Sequence, residues 1–149
     1  MDKSKVLFIC VHNSARSQMA EAFLNKYGGG NFIAESAGLN PGTLNPIVVD
    51  AMKETGIDIS SNETKSVFEF FKQGRRYNYV VTVCDESNAE RCPIFPGTLK
   101  TMHWSFRDPS ALTGSYDERL AGTRTIRDEI ENRIRCWLTE MSKEPGSLR

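Results

Sequence analysis

The chain has 149 residues, with 19 basic and 19 acidic side chains and four cysteines. At roughly 100–200 residues per domain, residues 1–149 form one domain, long enough to bury about two-thirds of its unfolded surface without cross-links. Zero net charge is a poor basis for holding nucleic acid by general electrostatics. No apolar run approaches the roughly 20 residues of a membrane span. The run Val6 to Val11 is too short for a signal peptide's apolar region of roughly 7–15 residues. The expectation is a cytoplasmic monomer with neither a nucleic-acid nor a membrane partner. The cysteines fall at positions 10, 84, 92 and 136, unlike a dense disulfide framework, and cytoplasmic thiols stay reduced unless they do redox work.

Strand and helix patterns alternate along the chain. Lys5 to Cys10 is a nearly all-apolar run that suits a strand buried on both faces. A helical pattern follows, with Met19, Ala20, Phe23, Leu24 and Tyr27 on one side, and Gly28, Gly29 and Gly30 stop it. Phe32 to Ser36 reads as a second strand. Asn45 and Pro46 read as a cap followed by proline at the first helical position, with Val48, Ala51, Met52 and Thr55 on one face and Gly56 at the end. A weaker helix is predicted from Ser66 to Gln73, a third strand from Tyr79 to Cys84 and a fourth from Leu99 to Trp104. The last helix carries Ile126, Ile130, Ile134, Trp137, Leu138 and Met141 as one stripe. Such alternation predicts an α/β domain, a four-stranded parallel doubly wound sheet with helices on both faces. Sites in open parallel sheets lie beyond the carboxyl ends of the strands, which places Cys10, Ser36, Cys84 and Asp108 on one edge.

The segment Cys10-Val11-His12-Asn13-Ser14-Ala15-Arg16-Ser17 lies between a strand and a helix. That context makes it a cradle of backbone N–H groups at a helix N-terminus, suited to a tetrahedral oxyanion. The helix dipole favours the Cys10 thiolate, which is the nucleophilic form. Arg16 can present a planar fork to two oxygens. Ser14 and Ser17 can hydrogen-bond the thiolate or the loop, and Asn13 tolerates a left-handed turn. The Cys-x5-Arg spacing alone is weak evidence; the strand–loop–helix context strengthens it. Asp108, stiffened by Pro109, is the candidate general acid for a leaving oxygen.

Between Cys84 and Cys92 the chain has almost nothing to bury, which predicts a mobile surface loop or a marginal helix. Thiols at its two ends suit exchange chemistry: Cys84 can attack a sulfur adduct on Cys10, and Cys92 can then attack Cys84. Two unrelated cysteines are an open alternative. So is a metal site completed by His103 or His12, although the spacing matches no common zinc pattern, and no metal is assigned. Cys136 lies about 140° from the centre of the apolar stripe of its helix and reads as an incidental thiol.

The segment from Cys10 to Phe23 resembles the phosphate loop and first helix of the thioredoxin-coupled arsenate reductases, which share the fold of the low-molecular-weight protein tyrosine phosphatases. The resemblance continues through Glu35 to Leu39, Gly56 to Ser60, Val80 to Cys84, Cys92-Pro93, His103-Trp104 and Asp108-Pro109, from about residue 5 to 140. It implies reduction of arsenate to arsenite by a three-thiol relay. Cys10 attacks arsenate, Asp108 assists the leaving oxygen, a Cys10–Cys84 disulfide forms, and Cys92 resolves it to a Cys84–Cys92 disulfide that thioredoxin reduces. The family members it resembles have six residues between the second and third cysteines; here there are seven, and one more residue changes closure entropy little.

Some members bind potassium beside the loop through residues matching Asn13, Ser36, Thr64 and an acid. The acid's position is Ser66 here, after Lys65, whose ammonium could take the cation's place. Weak or absent potassium dependence is therefore expected, with no tightly bound cofactor. The alternative is a low-molecular-weight tyrosine phosphatase acting on phosphate monoesters. Ala15, the Ser110-Ala111 pair after Asp108-Pro109, and the extra thiols disfavour it as the main activity, leaving a weak side activity on aryl phosphates. A non-enzymatic thiol sensor would bind an anion without turnover.

Overall fold

The computed structural model describes residues 3–83 and 93–143. Its elements in chain order are strand β1 (Ser4–Cys10), helix α1 (Arg16–Gly28), β2 (Phe32–Gly38), α2 (Pro46–Lys53), α3 (Val67–Lys72), β3 (Tyr79–Thr82), β4 (Lys100–His103), a 3-10 turn (Pro109–Ala111) and α4 (Tyr116–Ser142). The strands form one parallel sheet in the order β2-β1-β3-β4. The predicted doubly wound α/β class is the observed one.

Alternation along β1 builds both halves of the core. Val6, Phe8 and Cys10 face a large cluster shared with Met19, Phe23, Val48, Ile126, Ile130 and Trp137. Leu7 and Ile9 face a smaller one shared with Val67, Phe70, Tyr77, Val80 and Phe95. Successive side chains of a strand point to opposite faces, so burial on both sides requires a continuous apolar run. The faces are unequal: α1 and α2 both pack on α4, whereas the six-residue α3 covers the other side with Phe95.

Local chemistry sets the helix ends. The Asn45 side chain accepts the N–H groups of Ile47 and Val48, with Pro46 at the first helical position, as expected from the sequence. Ser66 caps α3. The Ser115–Glu118 capping box starts α4, a signal present in the sequence and absent from the expectations above. Gly56, at φ 85°, occupies the left-handed region after α2.

Some side chains depart from expectation. Tyr27, placed on the buried stripe of α1, is 39% exposed; its ring stacks on Phe23 and its hydroxyl donates to Glu131. Amphipathic tyrosine settles at the margin because its hydroxyl needs a polar partner. Leu138 is only partly buried, since Trp137 fills that site with rings from Phe32, Tyr79 and Trp104 around it. Thr55 lies beyond α2, where its hydroxyl donates to the Met52 carbonyl. β2 runs past Ser36 to Gly38. β3 is assigned as far as Thr82 and β4 spans Lys100–His103, so Leu99 and Trp104 flank the fourth strand; Cys84, the predicted end of the third, is outside the described residues.

Glu54 joins α2 to α4 by accepting from Arg124 at 2.6 Å and Arg127 at 2.8 Å. These bonds, led by the one to Arg124, lower its carboxyl to about 2. The folded value lies below the unfolded one, so its contribution is present above the ordinary carboxylate range and is lost as pH falls toward about 2. Glu54→Gln should lower the Tm at pH 7, with the gap to wild type closing on acidification. Thermal melts across that range check this, and a gap that widened in acid would contradict it.

Candidate active site: a thiol cradled by an uncapped helix

Register places the carboxyl ends of the strands side by side. Cys10 pairs with Gly38, Ile9 with Thr82, and Thr82 with His103. Between Cys10 and α1 the chain must reverse tightly, and Asn13 takes the turn at φ 53°. It is the only non-glycine residue at positive φ among those described, and asparagine is among the few residues that tolerate this conformation. Opposite the turn stands Gly38. A Cβ there would lie 2.8 Å from Asn13 N and Val11 O, so the loop can sit this close to β2 only over a glycine.

The Cys10 side chain is buried, at 3% exposure. Its sulfur receives the Asn13 N–H at 3.1 Å and lies 2.8 Å from the Ser17 hydroxyl. For a thiolate, Ser17 is the donor. α1 begins at Arg16 with no side-chain cap and no acid in its first turn. The positive end of its dipole and its unpaired N–H groups therefore face the loop.

Arg16 is buried and spans to the far side of the site. One Nη donates to the Phe106 carbonyl at 3.1 Å, and the other lies 3.7 Å from Asp108. Asp108 keeps one oxygen on the Ser110 N–H, which fixes its carboxyl, and its side chain is 35% exposed. The sequence-predicted thiol, arginine and acid thus converge. Ser17 and Asn13 act as expected; Val11 and Ala15 form loop backbone packed against the core. Ser14 contributes its carbonyl, which accepts Asn45 N–H. Ser36 is not at a strand end, yet its hydroxyl reaches the loop through Asn13.

His12 and His103 serve other ends: His12 donates from Nδ1 to the Asn40 carbonyl, and His103 Nδ1 bonds the Thr82 hydroxyl. Among the described residues no three His, Cys, Asp or Glu side chains group to hold a metal. Cys136 is a free, exposed thiol. Cys84 and Cys92 lie outside the described residues.

Sequence reasoning missed Gln18 and Glu21. Gln18 donates to Asn13 and to the Glu63 carbonyl. Glu21 accepts the Ser36 hydroxyl at 2.7 Å and lies 3.9 Å from Lys65 Nζ. Its burial pushes its carboxyl up, with Lys65 and Ser36 opposing. Gln18 and Glu21 are both polar residues of α1, and helical apolar spacing carries no mark of them.

The oxygens that the resemblance offers to a potassium ion already take part in hydrogen bonds. Asn13 Oδ1 accepts from Lys65 N–H and Gln18. The Ser36 hydroxyl is given to Glu21, and the Thr64 hydroxyl to the Gly42 carbonyl. The Lys65 ammonium also donates to the Glu63 carbonyl at 3.2 Å.

The comparisons with known proteins show the family of this fold. Residues 5–147 match the low molecular weight phosphotyrosine protein phosphatases. The chain belongs to that family. An arsenate reductase of Bacillus subtilis (strain 168) is 40% identical over 135 residues, which cover 91% of this chain and 95% of that protein. A solved arsenate reductase in a phosphate-binding state is 29% identical, with TM-score 0.77 over 92% of this chain and 98% of that one. A thioredoxin-dependent arsenate reductase from Corynebacterium glutamicum is also 29% identical, with TM-score 0.69 over 97% of this chain and 64% of that one. The phosphatase-like fold expected from the sequence is therefore the family's own.

The close approach at Gly38 is testable within this family fold. Gly38→Ala should destabilise the protein by about 1–3 kcal/mol, because backbone rather than a movable side chain meets the new methyl. It should also weaken phosphate binding. Denaturant unfolding and calorimetry with phosphate check both effects, and wild-type values would remove Gly38 from the loop's support.

Proposed function

We propose that the protein reduces arsenate to arsenite with three thiols and is regenerated by thioredoxin. The observation that carries the reading is the Cys10 sulfur, buried beneath the N-terminus of α1 with donors from Asn13 and Ser17 and with Arg16 and Asp108 across the loop. Arsenate is a tetrahedral oxyanion of the kind that backbone N–H groups and a guanidinium fork hold. Support for arsenic, rather than phosphate alone, comes from relatives named arsenate reductases at about 40% identity.

In this reading the Cys10 thiolate attacks arsenic, and Asp108 gives a proton to the departing oxygen, which leaves as water. Cys84 then attacks the Cys10 sulfur. The sulfur–arsenic bond breaks, its electron pair reduces arsenic(V) to arsenic(III), and a Cys10–Cys84 disulfide remains. Cys92 attacks Cys84 and releases the Cys10 thiolate. Thioredoxin supplies two electrons to the Cys84–Cys92 disulfide. A cytoplasmic setting suits a cycle that starts from reduced thiols, and the thioredoxin-dependent neighbour supports that reductant.

The second reading, phosphate-monoester hydrolysis, uses the same Cys10, Arg16 and Asp108 and is favoured by the family match itself. It assigns nothing to Cys84 and Cys92, and Ser110-Ala111 offer no aromatic ring to a phosphotyrosine.

Reduced protein mixed with stoichiometric arsenate should yield a Cys84–Cys92 disulfide by mass mapping. Cys92→Ser should lose multiple turnover with thioredoxin while keeping any phosphatase activity; full turnover in that variant would end the relay. Asp108→Ala should slow the chemical step by about 10²–10⁴-fold, and an unchanged single-turnover rate would remove it as the acid.

A further inference from the structure

We infer that Asn45 and Ser110 form a clasp that positions Asp108 beside the cysteine loop. The inference rests on Asp108 as the acid of the proposed function.

Asn45 has little freedom left before it meets Ser110. Its Oδ1 accepts the N–H groups of Ile47 at 2.9 Å and Val48 at 3.4 Å. Backbone N–H groups can only donate, so this edge of the amide is its oxygen and Nδ2 points the other way. The backbone is anchored as well: Asn45 N–H donates to the Ser14 carbonyl of the cysteine loop at 3.0 Å. From that position Nδ2 donates to the Ser110 hydroxyl at 3.0 Å. An exposed hydrogen bond between two mobile side chains loses much of its worth to the entropy of ordering them. Here the helix cap has already ordered the donor.

On the other side, Ser110 holds the acid directly. Its backbone N–H donates to Asp108 Oδ1 at 2.9 Å, and Asp108 Oδ2 stands 3.7 Å from Arg16. The turn is closed by the Ala111 N–H on the Asp108 carbonyl at 3.0 Å, so a displacement of Ser110 carries the carboxyl with it. Close packing does not fix this turn against α2. A cleft of about 490 Å³ lies between them, lined by Leu44, Pro46, Pro109, Leu112 and Arg119 among others. Asn45 and Ser110 belong to its two walls, and their hydrogen bond joins them. A path of bonds therefore runs from the Ser14 carbonyl through Asn45 and Ser110 to Asp108. Arg16 cannot replace it during the proposed reaction, because its fork is then given to the oxyanion.

Ser110→Ala removes the hydroxyl and keeps the backbone N–H on Asp108. Asn45→Ser keeps a residue type that caps a helix well but is too short to reach Ser110. Each should slow single-turnover reduction of stoichiometric arsenate about 3–10-fold, the range for one hydrogen bond, with the Kd for inorganic phosphate as in wild type. Ser110→Thr retains a hydroxyl and should keep the wild-type rate. In an Asp108→Ala background neither change should slow the reaction further, because both act through that carboxyl. The clasp can also be read without chemistry: hydrogen exchange of the Ser110 amide, followed by NMR, should quicken about 3–10-fold in Asn45→Ser as the turn opens more often. A wild-type rate in Ser110→Ala, equal slowing in Ser110→Thr, further slowing in the Asp108→Ala background, a parallel loss of phosphate binding, or unchanged exchange in Asn45→Ser would each overturn the clasp. A wild-type single-turnover rate in Asp108→Ala, with Ser110 exchange quickened in Asn45→Ser, would instead sink the acid of the proposed function and leave the clasp standing.

Discussion

The left-handed turn at Asn13 curls the chain around the sulfur of Cys10, and the Asn13 side chain ties that curl to its surroundings. One amide bonds to Ser17 and Gln18 on α1, Ser36 on β2 and the backbone of Lys65. In the proposed anion-binding role the loop's N–H groups would face the ligand and could not also hold the loop. Its shape has to be imposed from outside, and a fully buried amide can do this with all its donors and acceptors satisfied.

That constraint explains where the neighbouring segments lie. β2 needs a glycine at 38 because the loop backbone runs within van der Waals contact of it. The segment after it follows the loop closely: the Leu39, Asn40 and Gly42 N–H groups donate to the carbonyls of Cys10, Val11 and His12. Gln18 extends the support to Glu63 and Asn62. On the opposite side Arg16 bridges to the chain after β4 through Phe106 and Asp108. The candidate nucleophile and the candidate acid come from distant parts of the sequence, and a buried guanidinium lies between them.

Much of the fold was legible because its forces are periodic. The continuous apolar run of β1, the stripe Ile126, Ile130, Ile134, Trp137 and Met141 on α4, and the Asn45–Pro46 start of α2 all appear where their patterns indicate. The errors fall where a side chain has two natures. Tyr27 counts as apolar in a stripe, yet its hydroxyl draws it to Glu131 at the surface. β4 spans Lys100–His103 rather than Leu99 to Trp104, and at the edge of the sheet it leaves Lys100 and Thr101 exposed.

By itself the sequence determined the order of elements, the Cys-x5-Arg loop between a strand and a helix, and the likeness that linked Cys10, Arg16 and Asp108. Each is either local or carried by a recognisable motif. The tertiary structure decided the partners: Glu21 beneath Ser36, Lys65 beside Glu21, and Gly38 against Asn13. These contacts join residues far apart in the chain, and a polar side chain carries no periodic mark of the partner it will meet. Zero net charge left open how the proposed anion would be held, and the fold placed Arg16 and an uncapped helix end beside the buried Cys10 thiol.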